Sequence, residues 1–115
     1  MAANIRLKRA NEAPARADGK RILVDRLWPR GKSRESLKLD AWVRDVAPSD
    51  DLRHWFGHDP AKWNEFRKRY FAELKKSPAL TTLRELTATG TVTFVYFAAD
   101  TEHNNAVALR EYLLQ

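Results

Sequence analysis

The chain reads as an α/β fold: a small, mostly parallel sheet surrounded by helices, in a single compact domain over residues 1–115. Two apolar runs carry this reading, Ile22-Leu23-Val24 and residues 92–99. The first is continuously β-branched and aliphatic and the second apolar nearly throughout, as suits strands covered on two faces. A long stretch of helical periodicity separates them, which suits a crossover between neighbouring parallel strands. At 115 residues, 43% hydrophobic and 31% charged, the chain has material for one core and is too apolar for disorder.

Taken in order, Ile5 and Leu7 alternate with Arg6 and Lys8 as a short half-buried strand. Residues 10–20 form a polar loop punctuated by Pro14 and Asp18-Gly19. The strand at residues 22–24 follows. Ser33 is placed to cap a helical turn, and Asp40 to cap another carrying Trp42, Val43 and Val46 on one side. Pro48-Ser49-Asp50-Asp51 opens a helix whose acidic first turn suits the helix dipole, and Gly57 ends it. Asp59-Pro60 starts the longest helix, with Trp63, Phe66, Tyr70, Phe71 and Leu74 as its apolar stripe and Lys62, Arg69 and Glu73 toward water. Ser77-Pro78 repeats the cap device for a helix lined by Leu80, Leu83 and Leu86, which Gly90 closes. The strand at 92–99 then feeds a polar run at 100–105 and a last helix with Ala106, Leu109 and Leu113 inward.

Composition bounds the function. There is no cysteine, which excludes disulfides and thiolate chemistry. No apolar run approaches the roughly 20 residues that span a bilayer. Residues 1–6 lack the apolar core of a signal peptide. The expectation is a cytoplasmic, soluble protein with no membrane partner. Of the net charge of +6, the excess sits in the first third: residues 1–34 hold ten Lys/Arg against three acidic residues, and the remainder eleven against twelve. Such a patch attracts phosphate, on a small molecule or on nucleic acid, or is a merely solvated face.

The densest chemistry lies at residues 23–31, Leu23-Val24-Asp25-Arg26-Leu27-Trp28-Pro29-Arg30-Gly31, where a buried strand runs into two arginines, a carboxylate and a tryptophan. Ligands of α/β proteins gather where strands hand over to loops. Arg26 and Arg30 are candidate anion ligands through bidentate hydrogen bonds, with Trp28 beside them. Asp25 either orients an arginine or serves as a base, or it pairs structurally. A second candidate cluster is the polar run after residue 99. Asp100 caps or orients, His103 is a candidate acid/base and Asn104 a ligand contact at a helix start. His58, in the turn between two helices, is a further acid/base candidate. His54 and His58 share metal-ligand spacing, but Gly57 interrupts the helix and converging partners are lacking, so no metal site is assigned. Trp42, Trp55 and Trp63 read as core rather than as a base-stacking surface.

The chain resembles the YeaO-like family of small bacterial proteins, domain of unknown function 488. The resemblance rests on residues 5–9, on residues 23–31, on Ala47-Pro48-Ser49, on Trp55-Phe56-Gly57-His58-Asp59-Pro60 with Trp63, and on residues 100–106. It implies a compact α/β fold and no particular activity. More distant relatives carry a cysteine on the last strand and a Cys-His-Arg run at the following helix, where this chain reads Tyr96-Phe97-Ala98-Ala99 and His103-Asn104-Asn105.

No dinucleotide, P-loop, nucleophile-elbow or zincin motif is present, and no cofactor is implied. The preferred reading is a polar pocket between the loops after residues 24 and 99, taking a small phosphate-bearing or nucleotide-like anion. Any catalysis there would be hydrolysis or group transfer, with His103 or His58 as acid/base. The alternative is a nucleic-acid-binding or accessory module using the basic N-terminal third.

Overall fold

A computed structural model describes residues 4–88 and 90–115. Residues 1–3, which begin the segment weighed against a signal peptide, lie outside it. Among the described residues four strands, β1 (Asn4–Arg9), β2 (Lys20–Leu23), β3 (Ala41–Trp42) and β4 (Thr91–Tyr96), form one sheet in the order β1-β4-β2-β3. Every pairing is parallel. As expected, β2 and β4 are neighbours, with Ile22 opposite Phe94 and Leu23 opposite Val95. Their parallel alignment sends both chains out at the same end of the sheet. The helices are α1 (Arg34–Leu37), α2 (Asp50–Phe56), α3 (Trp63–Lys75), α4 (Ala79–Leu86) and α5 (Asn105–Leu114).

The side chains of β4 alternate between two cores. Val92, Phe94 and Tyr96 join Ile22 and Val24 against Leu52, Phe56, Phe66, Tyr70, Leu83 and Leu109 of the helices. Val95 and Leu23 point the other way, onto Ala10 and Leu37. Burial on both faces explains why β2 and β4 lack the polar alternation seen in β1. Tyr70 reaches through the main core, and its hydroxyl donates to the Val46 carbonyl at 2.6 Å.

Caps are set locally. The Ser33 hydroxyl accepts the Ser36 N–H at 3.1 Å, the Ser49 hydroxyl accepts the Leu52 N–H at 3.2 Å, and the Asp59 carboxylate accepts the Ala61 N–H at 3.0 Å. Gly57 ends α2 in the left-handed conformation, φ 54°. Gly19 turns the chain into β2 at φ 64°, where an added Cβ would stand 2.0 Å from the Thr91 carbonyl oxygen.

Several expectations are corrected. Asp40 does not cap a helix. Its N–H donates to the Arg21 carbonyl at 2.8 Å and its carboxylate accepts the Arg21 N–H at 2.8 Å, so the chain leaves as β3 beside β2. Trp42 is therefore an exposed residue on an edge strand, and Val46 belongs to a following 3₁₀ turn. Ser77-Pro78 precedes α4 without a side-chain cap. The last strand ends at Tyr96 rather than continuing to Ala99. Trp63 and Trp55 are half-buried. Glu73 does not face water: its carboxylate accepts the Ser49 N–H at 2.9 Å and hydroxyl at 2.6 Å. Lys62 folds back, donating to the Trp55 carbonyl at 2.9 Å. The polar loop at 10–20 contains a 3₁₀ turn over Arg16–Asp18.

On the polar face of the sheet, the Asp18 carboxylate accepts from Lys8 Nζ at 3.1 Å, from Arg21 at 2.7 Å and from the Ala15 N–H at 2.9 Å. Burial pushes this carboxyl up, but those hydrogen bonds outweigh it and hold the pKa below the ordinary 3.8.

Two stability predictions follow from the packing. Phe66→Ala should cost about 3–5 kcal/mol in chemical denaturation, and Trp63→Ala clearly less, because Phe66 is buried and Trp63 is only partly so. Equal costs would show that the two rings share one environment. Gly19→Ala should cost about 2–4 kcal/mol, combining overpacking against Thr91 with a positive φ. A change below about 1 kcal/mol would mean that this turn relaxes freely.

Candidate functional site

The exit of β2 and β4 at one end leaves a cavity of about 330 Å³ between the loops that follow them. That lies within the roughly 300–1,000 Å³ of small-molecule sites. Its apolar lining includes Phe56, Phe66 and Phe97, and its polar groups are Asp25, Arg26, Arg30, Arg53, His58, Asn104 and Asn105.

Asp25 organises this end of the sheet. One carboxylate oxygen accepts the Phe97 N–H at 2.9 Å, and the other accepts the Asn105 amide at 3.0 Å. The same amide donates to the Val24 carbonyl at 3.1 Å. The Asp25 carbonyl accepts the Trp42 indole N–H at 2.7 Å. One residue thus ties the ends of β2 and β4, the start of α5 and the edge strand β3. Burial pushes the Asp25 carboxyl above its ordinary value, against the pull of its hydrogen bonds and of His58.

Arg26 turns away from Asp25 toward the start of α2. Its guanidinium donates to the Ala47 and Pro48 carbonyls at 3.3 and 3.4 Å and lies 3.7 Å from Asp45. Arg30 is exposed and forms no ion pair among the described residues. Trp28 lines the cavity, donates its indole N–H to the Lys32 carbonyl at 2.7 Å and meets Trp42 edge-on at 5.5 Å. Arg53 comes from α2, where it also meets Asp50 at 3.2 Å. His58 sits in the α2–α3 turn at φ 56°, a left-handed conformation that costs a non-glycine residue about 1–2 kcal/mol.

Asn104 is buried and fully engaged as the cap of α5. Its side-chain oxygen accepts the Val107 N–H at 3.0 Å and its amide donates to the Asp100 carbonyl at 2.9 Å. Asp100 and His103 stand outside the cavity lining. Of the four residues expected to border one concave region, the cavity takes in Arg26 and Arg30. The Asp100 and His103 side chains serve each other: His103 Nδ1 lies 3.0 Å from the Asp100 carboxylate, which also accepts the Glu102 and His103 N–H groups. The Glu102 hydrogen bond foremost, and then those from His103, hold the Asp100 carboxyl below its ordinary value. The His103 ring rests edge-on against Trp63 at 5.4 Å.

The structure therefore brings Asp25, Arg26, Trp28, Arg30, His58 and Asn104 together and leaves Asp100 and His103 aside. Sequence reasoning missed Arg53, Phe97 and Asn105. Arg53 looks like an ordinary solvated helix position and Phe97 like strand interior. Asn105 lies at the end of the polar run already noted. Among the described residues no three His, Asp or Glu side chains gather as metal ligands.

Fold and cavity define a small parallel α/β protein with a ligand-sized pocket at the carboxyl ends of its central strands. The chain belongs to the DUF488 family, and its residues 4–115 match the model described as the inactive DUF488-N3 subclade. It is 39% identical over 109 residues to the uncharacterised protein Rv3073c of Mycobacterium tuberculosis (strain ATCC 25618 / H37Rv), covering 95% of this chain and 92% of that one. It is 37% identical over 111 residues to the uncharacterised protein YeaO of Escherichia coli (strain K12), covering 96% of each. These relatives bear out the YeaO-like resemblance. No solved structure matches the chain.

The raised Asp25 carboxyl gives a signed pH prediction. A folded pKa above the unfolded one means that the native state holds the proton more tightly. Its stabilising contribution is complete below the unfolded value near 3.8 and is lost as pH rises through the folded pKa. The wild type should therefore lose stability relative to Asp25→Asn as pH rises above about 4. Parallel stability profiles for the two proteins would contradict the raised pKa.

Proposed function

We propose that the cavity binds a small phosphate-bearing anion, and that it binds rather than transforms it. The supporting observation is the set of cations on one ligand-sized cavity: Arg26, Arg30 and Arg53 all line it, with His58 beside them as a further hydrogen-bonding group. Arginine forks match phosphate geometry, and a partly apolar cavity strengthens each such hydrogen bond. Arg30 is the principal phosphate ligand, because no carboxylate of the described chain competes for it. Arg26 fixes the wall through its bonds to the Ala47 and Pro48 carbonyls.

Binding without turnover is favoured by two facts. Of the four candidate catalytic residues, Asp25, His58, Asp100 and His103, only Asp25 and His58 line the cavity, and the subclade model that matches the chain is described as inactive. The nucleic-acid reading draws less support, since much of the basic N-terminal third is engaged internally. Arg6 donates to the Ala17 carbonyl, Lys8 to Asp18, Arg9 to the Ala98 carbonyl and Lys20 to the Leu86 carbonyl.

Titration calorimetry with inorganic phosphate and pyrophosphate tests this reading. Saturable binding should weaken about ten-fold or more in Arg30→Ala, the loss of a charge-assisted hydrogen bond. Folding stability should change by less than about 1 kcal/mol, because Arg30 is an exposed loop residue. No binding at millimolar concentration, or equal affinity in the variant, would contradict it.

A further inference from the structure

The cavity couples three arginines with one carboxylate that none of them pairs with. Asp25 meets only neutral donors, the Phe97 N–H at 2.9 Å and the Asn105 amide at 3.0 Å. Arg26, next to it in sequence, is held away by the Ala47 and Pro48 carbonyls. A carboxylate offers about four acceptor positions, so each oxygen keeps one free after these two bonds. A carboxylate on the wall of an anion site repels a bare phosphate. The same carboxylate rewards a ligand that brings hydrogen-bond donors along with its phosphate.

Resting on the phosphate reading above, we infer that the ligand is a phosphorylated polyol, with neighbouring hydroxyls donated to Asp25 and the phosphate held by Arg30 and Arg53. Hydroxyls fit better than an ammonium group, because the surrounding arginines disfavour a further positive charge. Two free acceptor positions on one carboxylate match two adjacent hydroxyls. The burial that raises the Asp25 carboxyl increases what it gains from added donors. The apolar wall of Phe56, Phe66 and Phe97 leaves the carbon skeleton a dry surface to rest on.

Calorimetric titration of the intact chain with matched phosphates tests the inference. Ribose 5-phosphate should bind roughly ten- to hundred-fold tighter than n-pentyl phosphate, the worth of one charge-assisted hydrogen bond. 2-Hydroxyethyl phosphate should bind at least as tightly as O-phosphoethanolamine. Asp25→Asn should bring the ribose 5-phosphate to n-pentyl phosphate ratio close to one while keeping or tightening the binding of inorganic phosphate. Arg30→Ala should weaken every phosphate and leave the ratio unchanged. If Asp25→Asn does not fold, the two ligand pairs on the wild type decide alone. Equal affinity for ribose 5-phosphate and n-pentyl phosphate, with phosphate binding intact, overturns the inference and spares the anion reading. Tighter binding of O-phosphoethanolamine than of its hydroxyl counterpart overturns the assignment of hydroxyls. Failure of every phosphate to bind overturns the anion reading itself.

Discussion

The Asp25 carboxylate is the group on which the open end of this sheet depends. Parallel strands have no hairpins to hold their exits together, so something else must fix where the loops go. Asp25 does so by accepting from the backbone of Phe97 beyond β4 and from Asn105 at the start of α5. Its own carbonyl receives the Trp42 indole from β3. Three of the four strands and the last helix thus meet through one residue. The geometry of the cavity depends on this clasp, because two of its walls are the loops that the clasp holds, with others coming from α2, α3 and the turn between them.

A second polar knot holds the other face of the sheet. Asp18 gathers Lys8, Arg21 and the Ala15 N–H, while the Asp18 carbonyl accepts the Thr93 hydroxyl at 2.7 Å. The two knots divide the labour. Asp18 is charge-paired and holds its proton weakly, whereas Asp25 has neutral partners and holds its proton more tightly. The contrast explains why much of the basic excess of the N-terminal third does structural work, while the cavity takes one of its cations, Arg53, from α2.

Features written in local chemistry were legible in the sequence. Ser33 and Asp59 act as caps because a cap needs only a side-chain oxygen within three residues of a free N–H. The runs at 22–24 and 92–99 read as central strands because burial on both faces leaves little polar alternation, although the second strand stops at Tyr96. The strand β3 was not legible, since it exists through an exchange between Asp40 and Arg21, nineteen residues apart along the chain. Glu73 was misplaced for the same reason: its partner Ser49 lies on another element. At the site, charge density marked the loop at 25–30. The remaining lining depends on three-dimensional convergence that no spacing records. Asp100 and His103 illustrate the converse, a local pair that satisfies itself and so needs no cavity.

The clasp is most directly tested at the Phe97 amide. Phe97 lies past the end of β4 and is 44% exposed, so the Asp25 carboxylate is what shelters its N–H. Native-state hydrogen exchange followed by NMR reads that shelter residue by residue. The Phe97 amide should exchange with the slow β4 amides in the wild type and become fast in Asp25→Ala while Phe94 and Val95 stay slow. Exchange of the wild-type Phe97 amide as fast as that of the exposed Ala99 would contradict the clasp, and with it the origin proposed for the cavity.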